Sequence, residues 1–249
     1  MIVYPNAKIN LGLNILRKRE DGYHDISSVF YPVKKCVDIL EIVKSERFEF
    51  TKSGIEIPNG ENLCEKAWQL LHSDFDIENV KIHLHKQIAI GAGLGGGSAV
   101  ASFTLKILNK LFDLKLTNKE LEKYALQLGA DCPFFIDNIP KYVQGIGEKM
   151  NTIDLDLSYY EIRLVNPKIH ISTKEAYSGV VPQIPELSVE EIIKLPIKEW
   201  KNKLKNDFED SAFEKHSQLV KRKEELYDDG AIYSSMSGSG SVLFGIFNK

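Results

Sequence analysis

The sequence predicts a mixed α+β protein built from two domains, and three observations support this fold class. Stretches that alternate apolar and polar residues, typical of half-buried strands, occur in both halves of the chain. Apolar residues spaced three and four positions apart, typical of one face of a helix, occur between these stretches. The length of 249 residues also suits one large or two small domains. We expect one domain over residues 1–150 and another over 151–249, because a new series of strands and helices begins near residue 150.

The first predicted strand covers residues 7–16 and carries a polar face. Alternation puts apolar residues on one side and Lys8, Asn10, Gly12 and Asn14 on the other. A solvated face would explain a lone lysine, but two asparagines and a glycine are poor strand formers. The pattern therefore favours a face that lines something polar. A hairpin-type turn at Asp21-Gly22 follows, with Tyr23 and His24 directly after it.

The most informative segment is the glycine loop, residues 91–98, which contains five glycines in eight positions. An alternating strand pattern over 80–88 precedes it, and apolar residues at spacings of three and four predict a helix over 98–112. A strand, a glycine-rich turn and a helix start direct backbone amides and the positive helix end at one spot. This arrangement suits phosphate, and we predict an ATP-binding loop.

Other glycine-rich motifs fit this loop less well. A Walker A loop ends in Gly-Lys-Ser/Thr, whereas this chain has Gly97-Ser98-Ala99. The spacing Gly91-x-Gly93-x-x-Gly96 matches the dinucleotide fingerprint, but the acidic residues at the expected distance lie in a helix-like stretch. A plain turn without a ligand needs one or two glycines rather than five.

The remaining elements follow in order. A second helix is predicted near 118–128 and ends at Gly129, and a tight connection is predicted within 142–150. In the second half we expect a strand over 160–165, short helices in 172–227 separated by prolines, and paired strands on either side of the turn 237–240.

Composition limits the possible functions. A net charge of −3 gives no basic surface for nucleic acid, and no apolar run approaches the 18 residues of a membrane span. The three cysteines lack metal or redox spacing, and the start of the chain shows no leader pattern. We expect a cytoplasmic protein with free thiols, a small-molecule substrate, and neither nucleic acid nor membrane as a partner. The oligomeric state is not predicted.

Taken together, these motifs resemble the GHMP kinase superfamily. The matching segments are Asn6-Ala7-Lys8-Ile9-Asn10-Leu11-Gly12-Leu13, Asp21-Gly22-Tyr23-His24, the glycine loop, Gly129-Ala130-Asp131-Cys132-Pro133-Phe134-Phe135 and Met236-Ser237-Gly238-Ser239-Gly240, with Asn206-Asp207-Phe208-Glu209 as a weaker match. The Asp-Gly-Tyr-His element is similar to that of members acting on a cytidine-diphosphate-linked methylerythritol. The resemblance implies two α+β domains with the active site between them and phosphorylation of an alcohol by ATP with Mg²⁺.

The resemblance also implies roles for individual residues. Asp131 would be the base for the substrate hydroxyl, with Lys8 near it; the alternative for Asp131 is a helix N-cap, since Pro133 follows. Tyr23 would stack on cytosine and His24 would bind its edge, while Tyr177 is the candidate for a second stacking ring and Asn10 supports Lys8 or the substrate. The predicted ATP-binding residues are Ala89, Ile90, Gly91, Ala92, Gly93, Leu94, Gly95, Gly96, Gly97, Ser98 and Ala99, and Ser98 is the candidate metal ligand.

The sequence departs from the family pattern around the loop. Ala89 stands where relatives usually have proline, and Ala99 and Val100 replace a second hydroxyl and an amide or carboxylate. We expect ATP binding to persist because backbone amides do most of the phosphate binding, while metal and triphosphate contacts of the missing groups are in doubt. Alternative functions are a kinase for another small alcohol, such as homoserine or mevalonate, and a non-catalytic nucleotide-binding regulator.

Overall fold

The computed structural model of the chain describes residues 1–57, 60 and 62–249. The strands in chain order are β1 (Ile2–Val3), β2 (Asn6–Lys18), β3 (His24–Val37), β4 (Ile39–Lys44), β5 (Glu49–Gly54), β6 (Val80–Lys86), β7 (Lys141–Gly145), β8 (Lys149–Thr152), β9 (Tyr160–Val165), β10 (Tyr233–Met236) and β11 (Leu243–Asn248). The α-helices are α1 (Leu63–Phe75), α2 (Gly96–Leu111), α3 (Asn118–Leu128), α4 (Phe134–Asp137), α5 (Thr173–Ser178), α6 (Val189–Ile193), α7 (Phe208–Lys215) and α8 (Ser217–Asp228), and a 3-10 helix covers Ile197–Asn202.

The chain divides into two compact units. Unit 1 comprises Met1–Ala7, Pro32–Ile90 and Gly95–Ile139. Unit 2 comprises Lys8–Tyr31, Gly91–Leu94 and Pro140–Lys249. The boundary predicted at residue 150 falls inside unit 2, and the division into family domains at that point stays a prediction.

Unit 1 contains a four-stranded sheet in the order β1-β4-β6-β5, in which β6 is antiparallel to β4 and parallel to β5. Helices α1, α2 and α3 pack with one another. The apolar faces of these helices and one face of the sheet together form a core. Its buried residues include Leu40, Ile42, Trp68, Leu71, Ile82, Leu84, Leu105, Leu108 and Leu121. Alternation along β6 and helical spacing along α2 produce these two faces, as predicted.

Unit 2 contains the antiparallel sheet β10-β11-β9. Most of β2 and the first part of β3, which lie within Lys8–Tyr31, also belong to unit 2 and form part of the sheet ordered β2-β3-β7-β8. Its core joins strand and helix residues, among them Leu13, Ile15, Ile171, Phe208, Leu219, Leu226, Met236 and Leu243. Prolines 182, 185 and 196 lie between the short helices of this half, where the missing N–H prevents a longer helix.

Most predicted elements are confirmed. Helix α2 begins at Gly96, two residues before the prediction, and α3 ends at Gly129 as predicted, with a Thr117–Glu120 capping box at its start. The tight connection near residue 146 joins β7 and β8 as a hairpin. Within the described residues, the structure contains no helix that is long and apolar enough to cross a membrane.

Candidate active site

The backbone of the glycine loop requires its glycines. Gly91, Gly93 and Gly95 have φ angles of 63°, 78° and 67°, in the left-handed region that other residues avoid. Gly95 is the N-cap of α2 and has no side chain with which to cap it. The first-turn amides of this 16-residue helix therefore keep their hydrogen-bonding capacity for an anion, which the helix dipole also favours.

A buried ion pair supports the chain just before the loop. The Asp38 carboxylate, which is 0 % exposed, accepts hydrogen bonds from the backbone N–H groups of Gln87 (2.7 Å) and Ile88 (2.9 Å) and from Lys86 Nζ (2.5 Å). A Cβ added at Gly96 would lie 2.8 Å from Lys86 Nζ and 2.9 Å from Ile88 Cγ2, so both buried side chains would have to shift. Burial lowers the pKa of Lys86, and its bonds to Asp38 oppose that shift. This pair positions the end of β6 and the first turn of α2.

The sequence interpretation missed the Asp38–Lys86 pair. Lys86 is the last residue of β6, and alternation assigned it no special role. Asp38 lies between the apolar residues of β3 and β4, where a charged residue is unusual because burying it needs several partners. A charged residue between two apolar strands was therefore the sequence feature that could have indicated a buried ion pair.

The polar face of β2 is buried rather than solvated. Lys8 is 4 % exposed, and its ammonium donates to Asn10 Oδ1 at 2.6 Å and lies 4.5 Å from the centre of the Phe30 ring. Asn10 in turn donates through Nδ2 to Ser28 Oγ at 2.9 Å. Asn10 therefore joins Lys8 to Ser28 through direct hydrogen bonds, and the role of Asn10 at a substrate stays a prediction.

The same strand contacts the glycine loop and the turn 237–240. The backbone N–H of Lys8 donates to the carbonyl of Leu94 at 2.9 Å. Ser237 Oγ donates to the carbonyl of Gly93 at 2.8 Å and accepts from the N–H of Asn10 at 3.3 Å. Any Cβ at Gly93 would lie 1.8 Å from the Ser237 carbonyl oxygen. The turn 237–240 thus packs against the loop residues that belong to unit 2.

The hairpin turn presents Tyr23 to solvent and His24 to another aromatic ring. Tyr23 is 61 % exposed, and its N–H donates to Asp21 Oδ1 at 3.1 Å, which shapes the turn. The His24 ring stacks on Tyr177, with ring centres 4.7 Å apart and planes 25° from parallel. The structure therefore brings Tyr177 together with the hairpin through His24, and the role of Tyr177 as a second stacking ring stays a prediction.

Asp131 and Ser98 both belong to unit 1. Asp131 lies half-buried in the turn before α4, whose N-cap position is occupied by Pro133, and the buried side chains of Cys132 and Phe134 anchor that turn. Burial raises the pKa of the Cys132 thiol to about 11, and a hydrogen bond with the Ser98 side chain opposes the shift. Because Pro133 occupies the N-cap position, Asp131 is not the N-cap residue of α4.

Comparisons with known proteins match nearly the whole chain. The family described as GHMP kinases N terminal domain matches residues 62–138, and GHMP kinases C terminal matches 188–249. The 4-diphosphocytidyl-2-C-methyl-D-erythritol kinase of Azobacteroides pseudotrichonymphae is 51% identical over 252 residues, covering 100% of this chain and 94% of that protein. The enzyme of the same name from Parabacteroides distasonis is 50% identical, covering 100% of this chain and 92% of its own. A crystal structure of 4-(cytidine 5'-diphospho)-2C-methyl-D-erythritol kinase superposes with a TM-score of 0.85 at 31% identity, covering 99% of this chain and 90% of that one.

Proposed function

This chain belongs to the GHMP kinases and, within them, to the 4-diphosphocytidyl-2-C-methyl-D-erythritol kinases, and we propose that it transfers the γ-phosphate of ATP to the 2-hydroxyl of 4-diphosphocytidyl-2-C-methyl-D-erythritol. The reaction belongs to the non-mevalonate route to isoprenoids. The hydroxyl oxygen forms a bond to the γ-phosphorus, the bond to the β-γ bridging oxygen breaks, and ADP leaves.

The hydrogen bond from Lys8 N–H to the Leu94 carbonyl carries the assignment of the phosphate site. It ties the strand with the buried ammonium to the glycine loop, whose amides are the groups we assign to the triphosphate. Phosphoryl transfer needs positioning and charge stabilisation more than covalent chemistry. In this assignment, Lys8 stabilises negative charge on the transferred phosphoryl group, and residues 89–99 bind the nucleotide mainly through the backbone.

Asp131 is assigned to the proton of the substrate hydroxyl. The carboxylate accepts that proton as the oxygen attacks phosphorus, or orients the hydroxyl for attack. The buried neighbours in its turn, Cys132 and Phe134, restrict its backbone and so favour a fixed carboxylate position.

The cytosine is assigned to the hairpin and to Tyr177. The exposed Tyr23 offers a free ring face for stacking, and His24 has ring nitrogens that can bond the edge of the base. Tyr177 stacks on His24, which supports its assignment as the second aromatic side chain beside the base. These features favour a nucleotide-linked alcohol over homoserine or mevalonate, which have no base to stack.

Mg²⁺ is proposed as the partner of the nucleotide. Across residues 1–57, 60 and 62–249, no three His, Cys, Asp or Glu side chains are gathered to hold a metal. In this proposal, Mg²⁺ is bound chiefly by phosphate oxygens and water, with the Ser98 hydroxyl as one protein ligand. Bound Mg²⁺ would neutralise charge on the phosphates.

The cytoplasm is the proposed location. Cys36, Cys64 and Cys132 are free thiols, and thiols stay reduced in that compartment.

An ADP-release assay tests the function directly. The chain is supplied with ATP, Mg²⁺ and, in separate reactions, 4-diphosphocytidyl-2-C-methyl-D-erythritol, homoserine or mevalonate. We expect turnover with the cytidyl substrate alone. Turnover with homoserine or mevalonate alone would overturn the substrate assignment, and no turnover with any alcohol would favour a nucleotide-binding regulator.

Asp131→Asn tests the catalytic assignment. The amide keeps the size of the side chain but cannot accept the proton, so we expect kcat to fall by about 10²–10⁴-fold. ATP affinity, measured by calorimetry, should stay within about twofold because the assignment gives Asp131 no nucleotide contact. An unchanged kcat would reduce Asp131 to a structural residue of the turn.

A further inference from the structure

The segment Asn206–Glu209, named here the 206–209 segment, contacts several parts of unit 2 that carry the proposed substrate sites. It consists of the two residues that precede α7 and the first two residues of α7, and all but the half-buried Asp207 are buried. Backbone bonds of 2.8 Å from Leu13 N–H to the Lys205 carbonyl and from Asp207 N–H to the Leu13 carbonyl attach it to β2. The Asp207 carboxylate completes this attachment by accepting from Ile15 N–H at 2.7 Å.

Asn206 fixes the turn that packs on the glycine loop. It is 2 % exposed, and Nδ2 donates to the carbonyls of Met236 (2.8 Å) and Gly238 (2.9 Å). Its Oδ1 accepts from the Phe208 N–H at 3.0 Å, so the amide plane is held on both ends. Both protons of one side-chain amide are thus used to position the two residues on either side of Ser237.

The turn 237–240, once held by Asn206, restricts the position of Gly93. Ser237 donates to the Gly93 carbonyl, and a Cβ added at Gly238 would lie 3.2 Å from Gly93 Cα. A displacement of the turn would therefore act directly on the backbone of Gly93. Asn206 acts on the loop through this contact without needing to touch a nucleotide.

Phe208 reaches the other proposed site. Its ring and the Tyr177 ring form an edge-to-face pair, with centres 4.9 Å apart and planes at 84°. Tyr177 stacks on His24, so the order of contacts is Phe208, Tyr177, His24. Aromatic pairs in this edge-to-face geometry hold one another's ring planes, and loss of Phe208 would let Tyr177 tilt.

We propose that Asn206 and Phe208 are positioning residues for two different ligands: Asn206 for ATP, through Ser237 and Gly93, and Phe208 for the cytidine group, through Tyr177 and His24. The proposal rests on the proposed function for the identity of the two ligands. Glu209 supports the same arrangement, because its Oε1 accepts from Met236 N–H at 2.7 Å and its Oε2 accepts from Lys223 Nζ at 2.6 Å. Two side chains two residues apart in the sequence thus act on separate sites.

The test compares Asn206→Asp with Phe208→Leu. In the first variant a carboxylate oxygen would face two carbonyl oxygens with no proton between them, and in the second the aromatic contact with Tyr177 is lost. Dissociation constants are measured by calorimetry for a non-hydrolysable ATP analogue and for cytidine diphosphate, together with kcat and KM. We expect Asn206→Asp to weaken the ATP analogue at least tenfold with cytidine diphosphate within twofold, and Phe208→Leu to do the reverse by at least fivefold.

A control variant separates positioning from general destabilisation. Leu226→Val removes one methylene from the same buried cluster without altering the 206–209 segment, and it should leave both dissociation constants within twofold. If Asn206→Asp does not fold, Asn206→Ser, which retains one donor, is expected to show the same selective loss at a smaller size.

The outcomes are distinct. If the wild type binds both ligands but each variant weakens both equally, the segment is only structural and the inference fails while the proposed function stands. If the wild type binds neither ligand, both fail.

Discussion

Two regions of unit 2 contain proposed site residues, and they differ in burial: one is buried and hydrogen-bonded, and the other is exposed. The first, the buried polar centre, consists of Lys8, Asn10, Gly93 and Ser237, which bond to one another or to neighbouring backbone. The second, the hairpin tip, consists of residues 21–24, and its Tyr23 is exposed. Both follow from the same strand pair, since β2 leads from the centre to the tip.

The difference corresponds to what each region is proposed to do. Charge stabilisation in phosphoryl transfer depends on groups that are held in place before the reaction, and the buried centre supplies such groups. A base can be bound by stacking alone, which tolerates an exposed ring that adjusts on binding. We therefore expect substitutions in the centre to change kcat or folding, and substitutions at the tip to change KM.

The largest effect is expected for Lys8→Met, which keeps the length of the side chain and removes its charge. Loss of a fixed cation beside the phosphoryl group should lower kcat by about 10²–10³-fold. Lys141→Met is the matched control, because Lys141 is another buried lysine of unit 2, bonded to Thr152 at 3.0 Å. The control should keep kcat within about twofold. A Lys8→Met enzyme within tenfold of the wild type would remove Lys8 from the chemistry.

The same change, glycine to alanine, can be made in both regions: Gly93→Ala in the buried polar centre and Gly22→Ala at the hairpin tip. Both glycines have positive φ, 78° and 86°, so alanine costs about 1–2 kcal/mol at either position. At Gly22 nothing lies within 4 Å of the added Cβ, whereas at Gly93 it overlaps the Ser237 carbonyl. Urea unfolding should show a clearly larger loss of stability for Gly93→Ala. Equal losses would mean that the contact between the loop and the turn 237–240 is not tight.

Tyr23→Ala is expected to change substrate affinity alone. Loss of one stacked ring, at roughly 1–3 kcal/mol, should raise KM for the cytidyl substrate by about five- to a hundredfold and leave KM for ATP unchanged. Tyr159→Ala serves as the control because Tyr159 is an exposed tyrosine of unit 2 with no proposed contact to substrate. If both variants behave alike, the tip does not bind the base.

Local patterns predicted much of the fold and part of the site. Alternation in β6 and apolar spacing in α2 located the glycine loop between a strand and a helix, because these periods arise from backbone geometry. Lys8 and Asn10 became candidate site residues because polar residues recurred on one side of a strand. Motif resemblance, rather than periodicity, made Tyr177 and Asp131 candidates.

What the sequence did not reveal depends on contacts between distant residues. Asp38 and Lys86 are 48 residues apart, and Asn206 reaches Gly238 across 32 residues. Neither pair leaves a periodic signal, since each depends on how the chain returns to the same place. The compact units themselves, each assembled from three separate segments, have the same origin and could not be read from a single boundary.

The central claim is that backbone amides of the glycine loop bind the triphosphate of ATP. A crystal structure of the chain soaked with a non-hydrolysable ATP analogue measures this directly. We predict phosphate oxygens within hydrogen-bonding distance of amides in residues 91–98, at the start of α2. An analogue bound elsewhere, with no phosphate at these amides, would contradict the account.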